Sequence, residues 1–201
     1  AFRGDPCIDD SDEILSYRVA VFGFLGSTLF IGWWLWMAGL SLWVVPIYLS
    51  VMYLVFIAIT RVVAEGGIAA ARAPLIASDF VTSGLGNTVL GPESLTALGF
   101  TFVWAADIRT FVMASCANGL KLAEDQLQRQ KRSLFWAVAL SIVVSLAASI
   151  WAVFYMSYTY GGINLNGWFF GPTGGPAYPF NFISGEMNNP HGPNWTGWIA
   201  T

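Results

Sequence analysis

Charged side chains are scarce in this sequence. They make up 10% of its 201 residues, whereas a soluble domain normally carries about 25%. Hydrophobic residues account for 56% of the chain, 15 of them phenylalanine and 10 tryptophan. This composition excludes an ordinary soluble domain. It predicts an all-α fold, a polytopic bundle of transmembrane helices.

Histidine and cysteine are also rare. His191 is the only histidine, and the two cysteines, Cys7 and Cys116, are far apart and form no CxxC motif. Haem, chlorophyll and most copper or di-iron membrane sites depend on imidazole ligands, and no predicted span contains a histidine. We therefore predict two unpaired thiols, no cofactor and no metal site.

Basic residues are few and mostly scattered. The chain has nine lysines and arginines and twelve aspartates and glutamates, which gives a net charge of -3. One basic cluster stands out, formed by Lys121, Arg129, Lys131 and Arg132. A single cluster beside an apolar run is typical of a cytoplasmic loop, not of a nucleic-acid interface. The predicted environment is therefore the lipid bilayer, and nucleic acid is excluded as a partner.

Long apolar runs predict the spans. An acidic segment, residues 1–16, precedes runs at about 19–38, 42–60 and 134–155, each close to the ~20 residues that cross a bilayer. A tight turn at 39–41 is expected to join the first two. Residues 94–119 predict a further span, whose helix begins at Pro92 after Gly91.

The basic residues also predict the topology. The first two spans end at Arg18 and Arg61 on one side, which the positive-inside rule makes cytoplasmic. The loop 121–133 is then cytoplasmic, and the Gly/Pro/aromatic-rich segment 161–201 is extracytoplasmic. The expected location is a bacterial inner membrane. Because the chain starts without methionine and stops abruptly, we expect it to be part of a longer protein.

Residues 61–91 are the irregular part of the predicted bundle. Glycines and Pro74 interrupt an otherwise apolar run that also contains Glu65, Arg72 and Asp79. One interpretation is a broken or re-entrant membrane element, because non-helical backbone survives at membrane depth only when protein or water covers it. The other is a cytoplasmic linker with short surface helices.

Four ionisable residues are the candidates for a substrate or ion path: Glu65, Asp79, Asp107 and Arg109. Charges inside a membrane bundle are expensive and usually functional, and charges beside broken helices are typical of transporter sites. Arg109 lies about 200° around the helix from Asp107, so its partner must come from another segment. The alternative is that Arg109 pairs with Glu65 or Asp79 only to lock the bundle.

Small residues at helical spacing predict helix packing. Gly23 and Ser27 form one such pair, and a longer seam recurs every fourth residue at Ala137, Ser141, Ser145 and Ser149. We expect these positions to meet other helices. The partners could be further subunits or the remainder of a longer protein.

Several motifs resemble a known family. They are Arg61–Gly67, Leu90–Leu95, Asp107–Phe111, Asn118–Ala123, Tyr160–Leu165 and Trp168–Phe170. Together they resemble a family of uncharacterised bacterial polytopic membrane proteins, a domain of unknown function distantly likened to oligopeptide transporters. Its members are longer than this chain. The resemblance implies a membrane protein of which this chain is a part.

Two functions remain open from the sequence. The first is a transporter-like membrane protein with an internal polar site beside broken helices. The second is a non-catalytic accessory or scaffolding subunit of a larger membrane complex, photosynthetic or respiratory. No nucleophile and base occur in a catalytic arrangement, so we expect the protein not to be an enzyme.

Overall fold

The computed structural model describes residues 14–68, 75–105, 112–123, 131–172 and 174–200. Within these ranges the chain is helical, with turns and no strand. Short π and 3₁₀ turns join α6 to α7 and α7 to α8. The helices are α1 (Tyr17–Met37), α2 (Val44–Gly66), α3 (Ala77–Leu85), α4 (Asn87–Ala105), α5 (Val112–Ala123), α6 (Lys131–Met156), α7 (Gly167–Phe170), α8 (Tyr178–Asn188) and α9 (Trp195–Ala200).

Three helices in the described ranges are long and apolar enough to cross a membrane. They are α1, α2 and the helical stretch Ser133–Asn164 that begins within α6, and they match the predicted runs 19–38, 42–60 and 134–155. The stretch 94–119 is covered by α4 and α5, and residues 106–111 between them lie outside the described ranges. Helix α2 continues to Gly66, so the predicted irregular segment begins later than residue 61.

The turn between α1 and α2 lies where it was predicted. Gly39 has a φ of 104°, which favours glycine. The two helices then meet through small and polar side chains. Gly32 brings α1 close to Val45, since a Cβ on this glycine would lie 3.4 Å from the valine side chain. The hydroxyls of Thr28 and Tyr53 hydrogen-bond across the same interface at 2.9 Å.

The predicted packing residues of α1 do not take part in this interface. Gly23 has no atom within 4 Å of an added Cβ, and the Ser27 hydroxyl donates to the Phe24 carbonyl of its own helix. The residues that pack are Thr28 and Gly32, which face α2 instead. A role for Gly23 and Ser27 against another subunit stays a prediction.

Helices α3 and α4 form an antiparallel hairpin with two breaks. Gly86 (φ 80°) ends α3, and Gly91 (φ 74°, ψ 166°) interrupts α4. Both have a positive φ, which glycine adopts without strain because it has no Cβ. After Gly91 the helix restarts at Pro92, as predicted for a proline at a first helical position. The hydroxyls of Ser41 and Ser94 hydrogen-bond at 2.9 Å, which ties this restart to the α1–α2 turn.

The main core lies where the end of α1, the start of α2, α3 and α4 meet. Its buried members are Leu35, Leu40, Val44, Val45, Tyr48, Leu49, Met52, Ala77, Val81, Leu85, Leu90, Leu95, Ala97 and Leu98. A smaller cluster joins the far end of α2 to α5 through Ile59, Val63 and Ala114. The broken hairpin is therefore packed inside the bundle at the end that carries the α1–α2 turn.

The C-terminal segment, residues 178–198, folds back onto this hairpin. Helix α8 packs against α4, where the ring of Phe182 lies 4.8 Å from that of Phe102. Helix α9 packs against α3, where Trp198 stacks on Phe80 at 5.2 Å between ring centroids. The aromatic residues of this segment thus serve to dock it on the bundle.

Helix α6 is different, because none of the apolar window Ser133–Asn164 is buried by the described residues. Its seam of Ala137, Ser141, Ser145 and Ser149 is exposed, and so are large side chains such as Trp136 (72%). Exposed apolar surface of this extent belongs against lipid or another protein. Whether the seam meets a second helix stays a prediction.

Gly84 offers a test of the docking of α9. A Cβ at this position would lie 2.0 Å from Cε2 of Trp198, so Gly84→Ala should displace the indole and destabilise the protein by about 1–3 kcal/mol. Gly185→Ala is the matched control, because Gly185 lies in α8 with nothing within 4 Å of its added Cβ. Thermal unfolding in detergent measures both. Equal unfolding temperatures for the two variants would contradict the docked position of Trp198.

Candidate functional site

Two of the four predicted path residues lie in the described ranges, and they belong to different surroundings. Glu65 is at the exposed end of α2, where its carboxylate accepts a hydrogen bond from Nε of Arg61 at 2.8 Å. The two side chains are 61% and 75% exposed, so this pair contributes little to stability. Asp107 and Arg109 lie outside the described residues, and the proposed partner of Arg109 stays a prediction.

Asp79 is half-buried in the first turn of α3. The negative charge of Glu186, on α8, acts on the Asp79 carboxyl. Burial and then the Asp79 charge raise the pKa of Tyr178, at the start of α8, above its ordinary value. The predicted acidic residue of the broken segment therefore lies within electrostatic range of a second carboxylate from the C-terminal segment, a neighbour that the sequence did not indicate.

Asn87 connects the break between α3 and α4 to the C-terminal segment. It is 5% exposed, and its Nδ2 lies within hydrogen-bond distance of the carbonyls of Glu186 (2.7 Å) and Asn189 (2.9 Å) and of Glu186 Oε2 (3.0 Å). Its Oδ1 accepts from the backbone N–H of His191 at 2.7 Å. One buried amide thus holds residues 186–191 against the helix break.

The same segment also supplies hydrogen-bond partners for backbone groups at the break between α3 and α4. The end of α3 and the start of α4 leave carbonyl and N–H groups without helical partners. The carbonyl of Ser83 accepts from the N–H of Asn194 at 3.3 Å, and the N–H of Thr88 donates to the carbonyl of His191 at 3.4 Å. The Thr88 hydroxyl donates to that same carbonyl.

Close backbone approach makes these contacts possible. A Cβ on Gly86 would lie 2.5 Å from the backbone carbon of Gly192, so only glycine fits there. His191 lies beside this contact, with Nδ1 3.6 Å from Oε2 of Glu186, longer than a hydrogen bond. The C-terminal segment therefore covers the helix break directly.

A second polar group lies deeper, between α2, α3 and α4. Ser78 and Thr101 hydrogen-bond to each other, and both are almost completely buried. The phenol of Tyr48 lies next to them, yet its hydroxyl makes no hydrogen bond of normal geometry. Thr82 and the indole nitrogen of Trp104 are likewise buried without a partner. These five residues form a buried polar cluster.

A groove of about 400 Å³ runs between α4 and α8. Apolar side chains dominate its lining, including Phe100, Phe180, Ile183 and Met187. Neither Glu65 nor Asp79 lines it. Its open, apolar surface is suited to contact with lipid and does not define a polar site.

The sequence contained signals for the residues that were missed. Ser78 and Thr82 are four residues apart, and Thr101 and Trp104 are three apart, so each pair lies on one face of its helix. Hydroxyls are common in apolar helices, so their spacing alone does not indicate a site. Asn87 follows Gly86 in the predicted irregular stretch, but its partners are about 100 residues away and could not be inferred from it.

Comparison with known proteins yields one family. The model of the Family of unknown function (DUF6785) matches residues 1–201, the whole chain. No curated protein and no solved structure matches.

Replacing Asn87 tests its role. Asn87→Ala removes all its hydrogen bonds and leaves buried groups unpaired, which should lower the free energy of unfolding by roughly 2–4 kcal/mol. Asn188→Ala is the control, because this exposed residue makes one long hydrogen bond within α8. Chemical unfolding and protease cleavage within 186–198 are the measurements. If both variants behave like the unmodified protein, the segment is not held by Asn87.

Proposed function

The chain belongs to the Family of unknown function (DUF6785), and we propose that it forms the solute-handling membrane region of a transporter-like protein. The observation that carries this proposal is the α3–α4 hairpin, whose breaks at Gly86 and Gly91 are packed inside a helical bundle. Interrupted helices beside polar and ionisable groups are the usual construction of transporter binding sites.

Contacts along α2 support the expected path of the chain across the bilayer. Ser94 at the restart of α4 meets Ser41 in the α1–α2 turn, while Ala114 of α5 packs near the opposite end of α2 with Ile59 and Val63. Thus α4 and α5 lie along most of the length of α2. We propose that they cross the membrane together as the fourth span, which favours the broken membrane element over the cytoplasmic linker.

The same contacts support the proposed topology. His191 is held beside Asn87, close in sequence to the α4 restart that meets the α1–α2 turn. The C-terminal segment then lies on the side of that turn, opposite Arg61. With the positive-inside rule, we propose that 161–201 is extracytoplasmic and the loop 121–133 cytoplasmic in a bacterial inner membrane.

The acidic pair at the break supports a role in coupling. The charges of Asp79 on α3 and Glu186 on α8 act on each other, with Tyr178 and His191 as the other titratable neighbours in the described structure. Like charges that repel each other favour retention of a proton by one of the two carboxyl groups. We propose that this pair couples solute movement to protons. We also propose that the protein is not an enzyme.

Uptake into liposomes tests this function. The purified protein should accumulate radiolabelled zwitterionic or anionic solutes under an inward proton gradient, above the level of protein-free liposomes. Asp79→Asn should remove the dependence on the gradient. Gly26→Ala is the control, since its added Cβ meets open space in α1. Absence of gradient-dependent uptake for every solute in the panel would contradict the proposal.

The second candidate is an accessory subunit of a larger membrane complex. The exposed surface of α6 favours it, because none of the apolar window of this helix is covered by the described residues. Purification in mild detergent discriminates between the two. A stoichiometric partner together with failed uptake would favour the accessory role, whereas a protein or homo-oligomer that catalyses uptake alone would favour the transporter.

A further inference from the structure

Helix α8 runs antiparallel to α4. At its start, the ring of Tyr178 contacts that of Phe102, with centroids 5.1 Å apart. Near its end, the carbonyl of Glu186 accepts a hydrogen bond from Asn87 at the helix break. Between these points the two helices approach closely, since an added Cβ at Gly99 would lie 2.4 Å from a side chain of α8. The two helices therefore lie side by side over most of the length of α8.

The position of α4 sets the depth of α8 in the proposed membrane region. Ser94 meets Ser41 in the turn between the spans α1 and α2, so α4 restarts at Pro92 near one membrane surface. Phe102 lies about ten residues further, which is roughly 15 Å of helix and about half of the ~30 Å hydrocarbon core. In that topology Tyr178 lies near the middle of the bilayer, and α8 leads from there back to the extracytoplasmic surface.

Helix α3 begins at the same depth as α8. Ser78 in its first turn is hydrogen-bonded to Thr101 of α4, which is the residue before Phe102. The charge of Asp79, in the same turn, acts on Tyr178, the first residue of α8. The inner end of α8 is therefore next to the ionisable residue that the proposed function places on the solute or proton path.

A polar stripe follows the exposed side of α8. Asn181 lies about 200° around the helix from Pro179 and Ile183, the two residues that approach Gly99 of α4. Exposed small and polar residues continue from it at helical spacing toward the end of α8. The stripe consists of Asn181, Ser184, Gly185 and Asn188. An exposed amide cannot be left bare in hydrocarbon, so water or another polar partner is needed at the depth of Asn181.

The backbone that leads into α8 has the same requirement. Helix α7 is only four residues long, and residues Gly175–Ala177 form a single 3₁₀ turn that joins Tyr178. Pro176 in this turn is exposed, so the described residues do not cover it. Non-helical backbone at membrane depth is tolerated only where protein covers it or a water-filled cavity reaches it.

We propose that the polar stripe of α8 lines a water-filled vestibule that opens on the extracytoplasmic side and ends near Asp79. The inference rests on the proposed function and specifies how a hydrophilic solute or a proton reaches its site. The segment 161–201 then starts and ends on the extracytoplasmic side, whereas α8 itself lies within the membrane. On the neighbouring side of α8, Phe180 borders the apolar groove with Phe100, and this side contacts lipid.

Thiol labelling of the protein in lipid nanodiscs tests the vestibule. Cys7 and Cys116 are first replaced by serine, and single cysteines are then introduced with Asn181→Cys and Ser184→Cys. Val103→Cys is the matched control, because Val103 is 71% exposed on α4 and lies next to Phe102 in sequence, at nearly the same depth. The reagent is a charged methanethiosulfonate that does not enter hydrocarbon.

The two stripe positions should behave as positions in water. Asn181→Cys and Ser184→Cys should react at rates close to that of Ile163→Cys, whose side chain is 99% exposed beyond the end of α6. Val103→Cys should react at least about tenfold more slowly, because the thiolate is the reactive form and apolar surroundings suppress its formation. All substituted residues are exposed, so unfolding temperatures close to that of the cysteine-free protein are expected and show that each variant folds.

Two results would overturn the inference. Equally fast labelling of Val103→Cys and Asn181→Cys would place α8 and this part of α4 outside the bilayer. Labelling of Asn181→Cys as slow as that of Val103→Cys would show that lipid or another protein covers the stripe. The uptake assay remains separate. A reactive stripe in a protein without uptake would leave the vestibule standing and remove the transport function, whereas uptake with an unreactive stripe would do the reverse.

Discussion

Two helix ends meet inside this bundle, and their unpaired backbone groups impose the main constraint on the structure. A carbonyl at the end of α3 and an N–H at the start of α4 cannot be left bare in an apolar environment. Residues about 100 positions later in the chain supply the partners: the N–H of Asn194 donates to the α3 carbonyl, and the carbonyl of His191 accepts from the α4 N–H. Asn87, buried between them, adds a side-chain link to the same segment.

The distribution of burial follows from that arrangement. The broken hairpin and the C-terminal segment concentrate the core at the end of the bundle that carries the α1–α2 turn. Helices α1 and α6 contribute little to it and present apolar side chains outward instead. Where the backbone is irregular, the protein is well packed; where the helices are regular, their surfaces are left to lipid or to other proteins. Such a division agrees with irregular backbone being tolerated in membranes only under cover.

Three long apolar helices, the turn at Gly39 and the restart at Pro92 could be predicted because each depends on local composition and backbone preference. The site was less accessible to prediction. Asp79 was identified as a charge beside a break, but Glu65 belongs to an exposed ion pair at the end of α2. The partners of Asp79 and Asn87 come from α8 and the following loop, and such long-range pairings leave no pattern in a single sequence.

The C-terminal segment covers the helix break. Amide hydrogen exchange of the protein in lipid nanodiscs tests this most directly. The amides of His191, Asn194 and Trp198 are hydrogen-bonded to Asn87, Ser83 and Asn194, respectively. A peptide covering 187–198 should therefore exchange nearly as slowly as one from the core of α4, and far more slowly than the exposed 167–172. Exchange of 187–198 as fast as that of 167–172 would contradict the account.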